Sequence, residues 1–242
     1  MGRELVSQAI LDGESEQQEV PDFKESFEMG REDDTLLTNI WLSEDTLPGF
    51  REFFNKFYWA CREIELETLR ALALGMGLAE NFFEKFHSKA DNQTRILHYP
   101  PIEEEVLRSG KKKRINAHTD FGTLTLVFQD EVGGLEVEDP YRKGIFHPAP
   151  FIPGTVVVNI GDLLMRWSND ILKSTMHRVQ APPVSGPGGI TPARYSIPYF
   201  CGPDKDQLIE CLPGCFGPDR PKRYEPITAG GYIDMRLNAI TY

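Results

Sequence analysis

The 242-residue sequence has few cysteines, no long apolar run and no surplus of positive charge. Its four cysteines, Cys61, Cys201, Cys211 and Cys215, are too sparse and uneven for a disulfide framework. Cys211 and Cys215 flank Leu-Pro-Gly with no second pair nearby, so free thiols in a reducing compartment are expected rather than a zinc knuckle. No stretch approaches the roughly eighteen apolar residues a membrane helix needs. The opening MGRELVSQ lacks an apolar signal core, and Val6 stands where a myristoylation signal wants Ser or Thr. A cytoplasmic protein is expected. With 26 basic against 37 acidic side chains the formal charge is −11, which argues against nucleic acid or an anionic membrane as partner. Gly188-Gly189 and Gly230-Gly231 lack the Lys-Ser/Thr of a phosphate loop, and no Gly-x-Ser-x-Gly elbow occurs.

What is present is an ordinary globular composition, 40% hydrophobic and 26% charged, long enough for a sizeable core. The acidity is concentrated in the first thirty-five residues, where eleven acids face three bases. That segment reads as a solvated loop with a short helix. Phe50, Phe53, Phe54, Phe57, Tyr58, Cys61, Ile64, Leu69 and Leu72 then recur at helical spacing, with Pro48 at the start and Gly75 or Gly77 at the end. A second short helix is expected over Ala79 to His87. From Thr94 the pattern changes to short β-branched and aromatic segments (94–99, 123–128, 155–160, 194–200) separated by Gly, Pro and Asp turns. Helices first and an all-β core after them predict a sandwich, jelly roll or barrel. The division expected is 1–90, an acidic segment with supporting helices, and 91–242, the β core with a C-terminal segment, packed as one unit. The basic run Lys111 to Arg114 reads as an exposed loop, too short to imply nucleic acid.

Chemistry concentrates at His118-Thr119-Asp120, which opens an apolar strand. Two residues apart on a strand, imidazole and carboxylate share a face. His177 supplies a second imidazole fifty-seven residues after Asp120. Two histidines and one carboxylate make the facial triad of non-haem Fe(II) oxygenases, which leaves positions open for cosubstrate and O₂. Arg194 and Ser196 form another same-face pair. A guanidinium fork with a neighbouring hydroxyl suits one carboxylate of a dicarboxylate such as 2-oxoglutarate, and Tyr99 adds a phenol.

The segments LHYPP, INAHTDFGTLTLVFQD, GGLEV, VVVNIGDLLMRWSND, KSTMHRV and RYSIPYF together resemble the isopenicillin-N-synthase-like branch of Fe(II)/2-oxoglutarate dioxygenases. Within it the chain is similar to fungal members such as thymine-7-hydroxylase. The resemblance implies a double-stranded β-helix (a distorted jelly roll), Fe(II) on His118, Asp120 and His177, and 2-oxoglutarate on Arg194 and Ser196 with Tyr99. It implies substrate contacts at Asn92, Arg95, Phe121 and Phe200. It also implies oxidation of a small organic molecule with O₂ and conversion of 2-oxoglutarate to succinate and CO₂, in fungal secondary metabolism; the oligomeric state is open, with a monomer favoured. Thymine-7-hydroxylases carry tyrosine at the position of Phe121, so one polar contact to a pyrimidine is missing here. Family members start with a longer region supplying a strand of the major sheet, and that strand is expected to be absent. Two other readings fit the motifs: an oxidase of the isopenicillin N synthase kind that needs no 2-oxoglutarate, and a truncated, non-catalytic binding protein.

Overall fold

The computed structural model describes residues 20, 22–35, 37–182 and 187–240. In chain order the elements are β1 (Glu25–Gly30), α1 (Phe50–Gly75), β2 (Gln93–Tyr99), β3 (Ile102–Glu103), α2 (Glu104–Arg108), β4 (Ile115–His118), β5 (Leu124–Gln129), β6 (Leu135–Glu138) and β7 (Phe146–Pro148). There follow β8 (Val157–Ile160), α3 (Asp162–Trp167), β9 (His177–Val179), β10 (Ile190–Thr191), β11 (Arg194–Cys201), β12 (Leu208–Ile209), β13 (Ile227–Thr228) and α4 (Ala229–Ile240).

Two antiparallel sheets face one another. The major sheet runs β1-β2-β11-β5-β8 and the minor one β4-β9-β6-β7. Neighbours distant in sequence, such as β2 beside β11, give the jelly-roll crossing expected of a double-stranded β-helix. Strands stand where the β-branched segments predict them: β2, β5, β8 and β11 lie within a few residues of 94–99, 123–128, 155–160 and 194–200.

The acidic segment differs from its expectation. Residues 1–19 lie outside the described residues, but Glu25–Gly30 is a strand rather than solvated loop, paired along its length with β2 from Glu25↔His98 to Gly30↔Gln93. Pairing outweighs composition here, because Phe27 and Met29 alternate inward against the core while Glu25 stays exposed and Glu28 lies beside Arg95. Ordered chain therefore precedes the helix and forms an edge of the major sheet.

Helix α1 covers the back of that sheet. Gly49 precedes it at φ 76, a left-handed conformation that suits glycine. Phe54, Tyr58, Cys61, Leu69 and Ala73 are buried in one stripe. Phe57 meets Phe128 of β5 at 5.2 Å between ring centroids, and Tyr58 meets Tyr199 of β11 at 5.2 Å. Phe53 and Ile64, expected in the stripe, face outward, because the 3.6-residue period carries those two positions off the buried face. Charged Arg62 and Glu65 are instead buried on it, 2.8 Å apart. The second helix expected over Ala79 to His87 is a series of turns with one 3-10 turn at Glu84–Phe86. Its aromatics still reach the core, Phe83 and Phe86 both packing edge-on against Trp167.

Candidate metal and 2-oxoglutarate site

The two sheets enclose a cleft. Strand alternation decides which side chains enter it. From the major sheet come Arg95, Leu97 and Tyr99 of β2, Thr125 and Val127 of β5, and Arg194, Ser196, Pro198 and Phe200 of β11. The minor sheet and the turn after β4 contribute Ile115, His118, Asp120, Leu135, His177 and Val179.

His118 ends β4 and sits directly opposite His177, which opens β9. Their rings lie 4.1 Å apart between centroids. Asp120 is in the turn after β4, not on a continuing strand as its spacing from His118 predicts. That turn brings its carboxylate to 3.9 Å from His118 Nε2 and 3.8 Å from His177 Nε2. All three side chains are buried, and their ligand atoms lie within 4.8 Å of one another. This is the one such cluster among the described residues.

Hydrogen bonds prepare these groups as ligands. Nδ1 of His118 donates to the Asn116 carbonyl at 2.8 Å, and Nδ1 of His177 to the Thr175 carbonyl at 3.2 Å. Both Nε2 lone pairs are thereby left to face the centre. Burial and the neighbouring His177 push the His118 imidazole far below its ordinary pKa, which keeps it neutral and able to ligate. Burial works to raise the Asp120 carboxyl, but the two imidazoles and two hydrogen bonds outweigh it and hold the pKa below the usual range. Those bonds come from Thr125 Oγ1 and Asn159 Nδ2, each 2.7 Å from Asp120 Oδ2. Thr125 and Asn159 are cross-strand partners, a relation visible only once β5 is paired with β8. The donor set is one carboxylate and two imidazoles with room on the cleft side. It fits Fe(II).

Deeper in the cleft, Arg194 donates to Ser196 Oγ at 3.0 Å and to Gln129 Oε1 at 3.1 Å, while its Nε has no partner. Its guanidinium lies 5.1 Å from the centre of the Tyr99 ring. No carboxylate of the described residues pairs with it, and burial lowers its pKa. A buried cation with an unused donor beside a hydroxyl is a seat for an anion. The neighbouring Arg114, expected in an exposed loop, is a second buried cation behind Tyr99 that sequence reasoning misses, though it is not among the residues lining the cleft. Lys111 and Lys112 are outside the core, but Arg114 is fully buried, donates to the Pro192 carbonyl, and faces the Tyr99 ring at 6.0 Å. Burial, then the charge of Arg194, lower its pKa to about 10, so it remains a cation at neutral pH. Parity could not have found it, since Arg114 lies in a bend ahead of β4, where no strand alternation applies.

The four expected substrate positions divide. Arg95 and Phe200 line the cleft, the guanidinium 5.3 Å from the ring centre, and Arg95 pairs with Glu28 of β1 at 2.8 Å. Asn92 does not enter it. The strand period turns Asn92 to the helix side, where Nδ2 donates to Glu65 at 2.5 Å and to Tyr199 at 2.8 Å. Its Oδ1 accepts from the Gly202 amide at 3.1 Å. Phe121 also stays out of the cleft lining and packs against the main core, with the Arg236 guanidinium 4.4 Å from its ring centre.

The 2OG-Fe(II) oxygenase superfamily model matches residues 90–203. A proline hydroxylase of Petromyces alliaceus is 42% identical over 239 residues, 98% of this chain and 73% of that relative. The chain belongs to the 2OG-Fe(II) oxygenase superfamily. It is a 2-oxoglutarate-dependent dioxygenase, of a family that uses Fe(II), 2-oxoglutarate and O₂. A 2-oxoglutarate-dependent dioxygenase of Aspergillus rugulosus is also 42% identical, over 89% of this chain and 66% of its own length. Full-length thymine-7-hydroxylase of Neurospora crassa in complex with alpha-KG and thymine superimposes at a TM-score of 0.87, with 44% identity over 100% of this chain and 73% of that one. The chain thus spans about two thirds to three quarters of the length of these relatives.

Proposed function

We propose that this dioxygenase oxidises a small organic molecule in the cleft between its sheets, with His118, Asp120 and His177 holding Fe(II). Arg194 and Ser196, backed by Tyr99, take the far carboxylate of 2-oxoglutarate, and Arg114 adds to the positive field there. The observation that carries this reading is the convergence of two buried imidazoles and one carboxylate beside a buried arginine without a carboxylate partner. When bound, the iron supplies O₂ activation coupled to conversion of 2-oxoglutarate to succinate and CO₂. The protein's own part is placement. Asn116 and Thr175 carbonyls orient the imidazoles, Thr125 and Asn159 hold the carboxylate, and Leu97, Val127, Leu135 and Val179 exclude water.

For the substrate, Phe200 offers a flat apolar face and Arg95 a guanidinium, which together suit a cyclic molecule bearing a carbonyl or carboxylate oxygen. Relatives named as a proline hydroxylase and as a thymine complex accord with a small ring, in fungal secondary metabolism. A monomer acting in the cytoplasm completes the proposal. Among the described residues no helix is long and apolar enough to cross a membrane.

The test is anaerobic titration of the metal-free protein with Fe(II) and 2-oxoglutarate, followed by succinate release on admitting O₂ with candidate substrates. A visible charge-transfer band of the chelate is expected, absent in Asp120→Asn and weakened in Arg194→Met. Substrate-dependent O₂ uptake that ignores 2-oxoglutarate would instead favour an oxidase and overturn the assignment of Arg194 and Ser196.

A further inference from the structure

The two ligands on one segment, His118 and Asp120, are separated by Thr119, and the turn they occupy is gripped from outside the sheets. The Asp162 amide donates to the Asp120 carbonyl at 2.8 Å, and the Leu163 amide to the Phe121 carbonyl at 3.2 Å. Gly161 permits this approach: a Cβ there would stand 2.3 Å from the Gly122 oxygen. The Asp162 side chain then meets the C-terminal helix. Arg236 of α4 pairs with Asp162 Oδ2, and both side chains are fully buried. Thr119 Oγ1 donates to the same oxygen at 3.1 Å, and Arg236 Nη2 reaches Thr119 Oγ1 at 3.4 Å. Tyr232, one turn earlier on α4, donates to Asp162 Oδ2 at 3.2 Å. The Arg236 guanidinium also covers Phe121, on the other side of Asp120.

An isolated buried ion pair supplies little net stability over a well-packed apolar pair, because desolvation offsets its attraction. What this one supplies is a fixed geometry, and it contacts the residue on either side of a ligand. We propose that Arg236 is a positioning residue for the iron centre, acting through Asp162 and the Thr119 hydroxyl to hold His118 and Asp120 at ligating separation. The C-terminal helix thereby belongs to the metal site although none of its side chains is among the three candidate ligands. The inference rests on the reading of His118, Asp120 and His177 as ligands.

Co(II) is the probe, since it resists oxidation by O₂ and reports its coordination by absorption. Its affinity is measured for the unsubstituted 242-residue chain and for Asp120→Asn, Thr119→Val, Arg236→Met, Arg236→Lys and the double variant T119V/R236K, each with thermal unfolding of the metal-free form. Thr119→Val keeps shape and removes only the hydroxyl, so it carries the test even where Arg236→Met does not fold. Affinity is expected to fall 10- to 100-fold in Thr119→Val and Arg236→Met, the usual scale for groups that orient ligands, and less in Arg236→Lys. The double variant should bind no worse than the weaker single, because both changes cut one path. Lowered thermal stability with Co(II) affinity unchanged in Thr119→Val, or additive losses in the double variant, would overturn the proposal. Co(II) binding that survives in Asp120→Asn would overturn the ligand assignment itself.

Discussion

At the scale of single residues, the site is governed by charges placed where water cannot screen them. Arg194 and Arg114 are both buried and flank Tyr99, and among the described residues neither forms a salt bridge, the Asp130 carboxylate acting on both only through its field. Replacing Arg114 by Met is expected to raise the KM for 2-oxoglutarate on the order of tenfold, about 1.4 kcal/mol of lost field. The substrate KM should stay unchanged. Steady-state kinetics with each substrate varied in turn makes the check, and equal rises in both constants would show a general distortion instead. Gly161 argues from space rather than charge. A methyl group there would meet the Gly122 oxygen at 2.3 Å and the Asp120 oxygen at 3.2 Å, so backbone must move. Gly161→Ala is expected to cost about 1–3 kcal/mol in urea unfolding and to weaken metal binding, since the displaced turn carries Asp120.

At the scale of elements, α1 is tied to the major sheet by polar groups as well as by its aromatic stripe. Burial, opposed by the Arg62 guanidinium, pushes Glu65 up to about 7. The folded state then holds a proton that the unfolded chain has released above about 4.5. Stability from this group is present at low pH and is lost as pH rises through 7. His87 works the other way. Burial lowers its pKa to about 4, so the folded state refuses a proton that the unfolded chain accepts below about 6.5. Its contribution is present at neutral pH and lost as pH falls toward 4. Between these limits the two slopes oppose one another. Glu65→Gln should leave the His87 slope exposed, up to ~1.4 kcal/mol per pH unit, with stability rising from about pH 4.5 to 6.5. Urea denaturation across that range is the measurement, and an unchanged profile would show that Glu65 does not hold the proton.

Across the whole molecule, the cleft joins two sheets that otherwise meet through their apolar faces. His118 and His177 stand on the minor sheet, while Arg194 and Ser196 stand on the major one. Ligands spanning that gap bind the folded state alone and stabilise it by mass action, about 2.7 kcal/mol at a hundredfold excess over Kd. Anaerobic Fe(II) with 2-oxoglutarate is therefore expected to raise the melting temperature and EDTA to reverse the rise. The metal-dependent part should vanish in Asp120→Asn.

Much of this architecture is legible in the residues themselves. Short β-branched and aromatic segments between turns locate β2, β5, β8 and β11, and helical spacing locates α1, because each pattern needs only neighbouring residues to express it. The three candidate ligands and the Arg194–Ser196 pair can be named because a metal and a dicarboxylate demand specific donor types, and those stand in short motifs. Only tertiary structure decided the rest. Glu25–Gly30 became a strand because β2 offered it a partner, an outcome invisible in an acidic composition. Arg114 entered the interior from a bend ahead of β4, and Asn92 turned away from the cleft by the parity of β2 and met Glu65 on α1. Arg236 reached Thr119 from 117 residues away. The sequence by itself determined which chemistry the protein can carry, since ligand identity is a property of side chains. Folding decided which side chains face it, because burial, pairing and register depend on partners far apart in the chain.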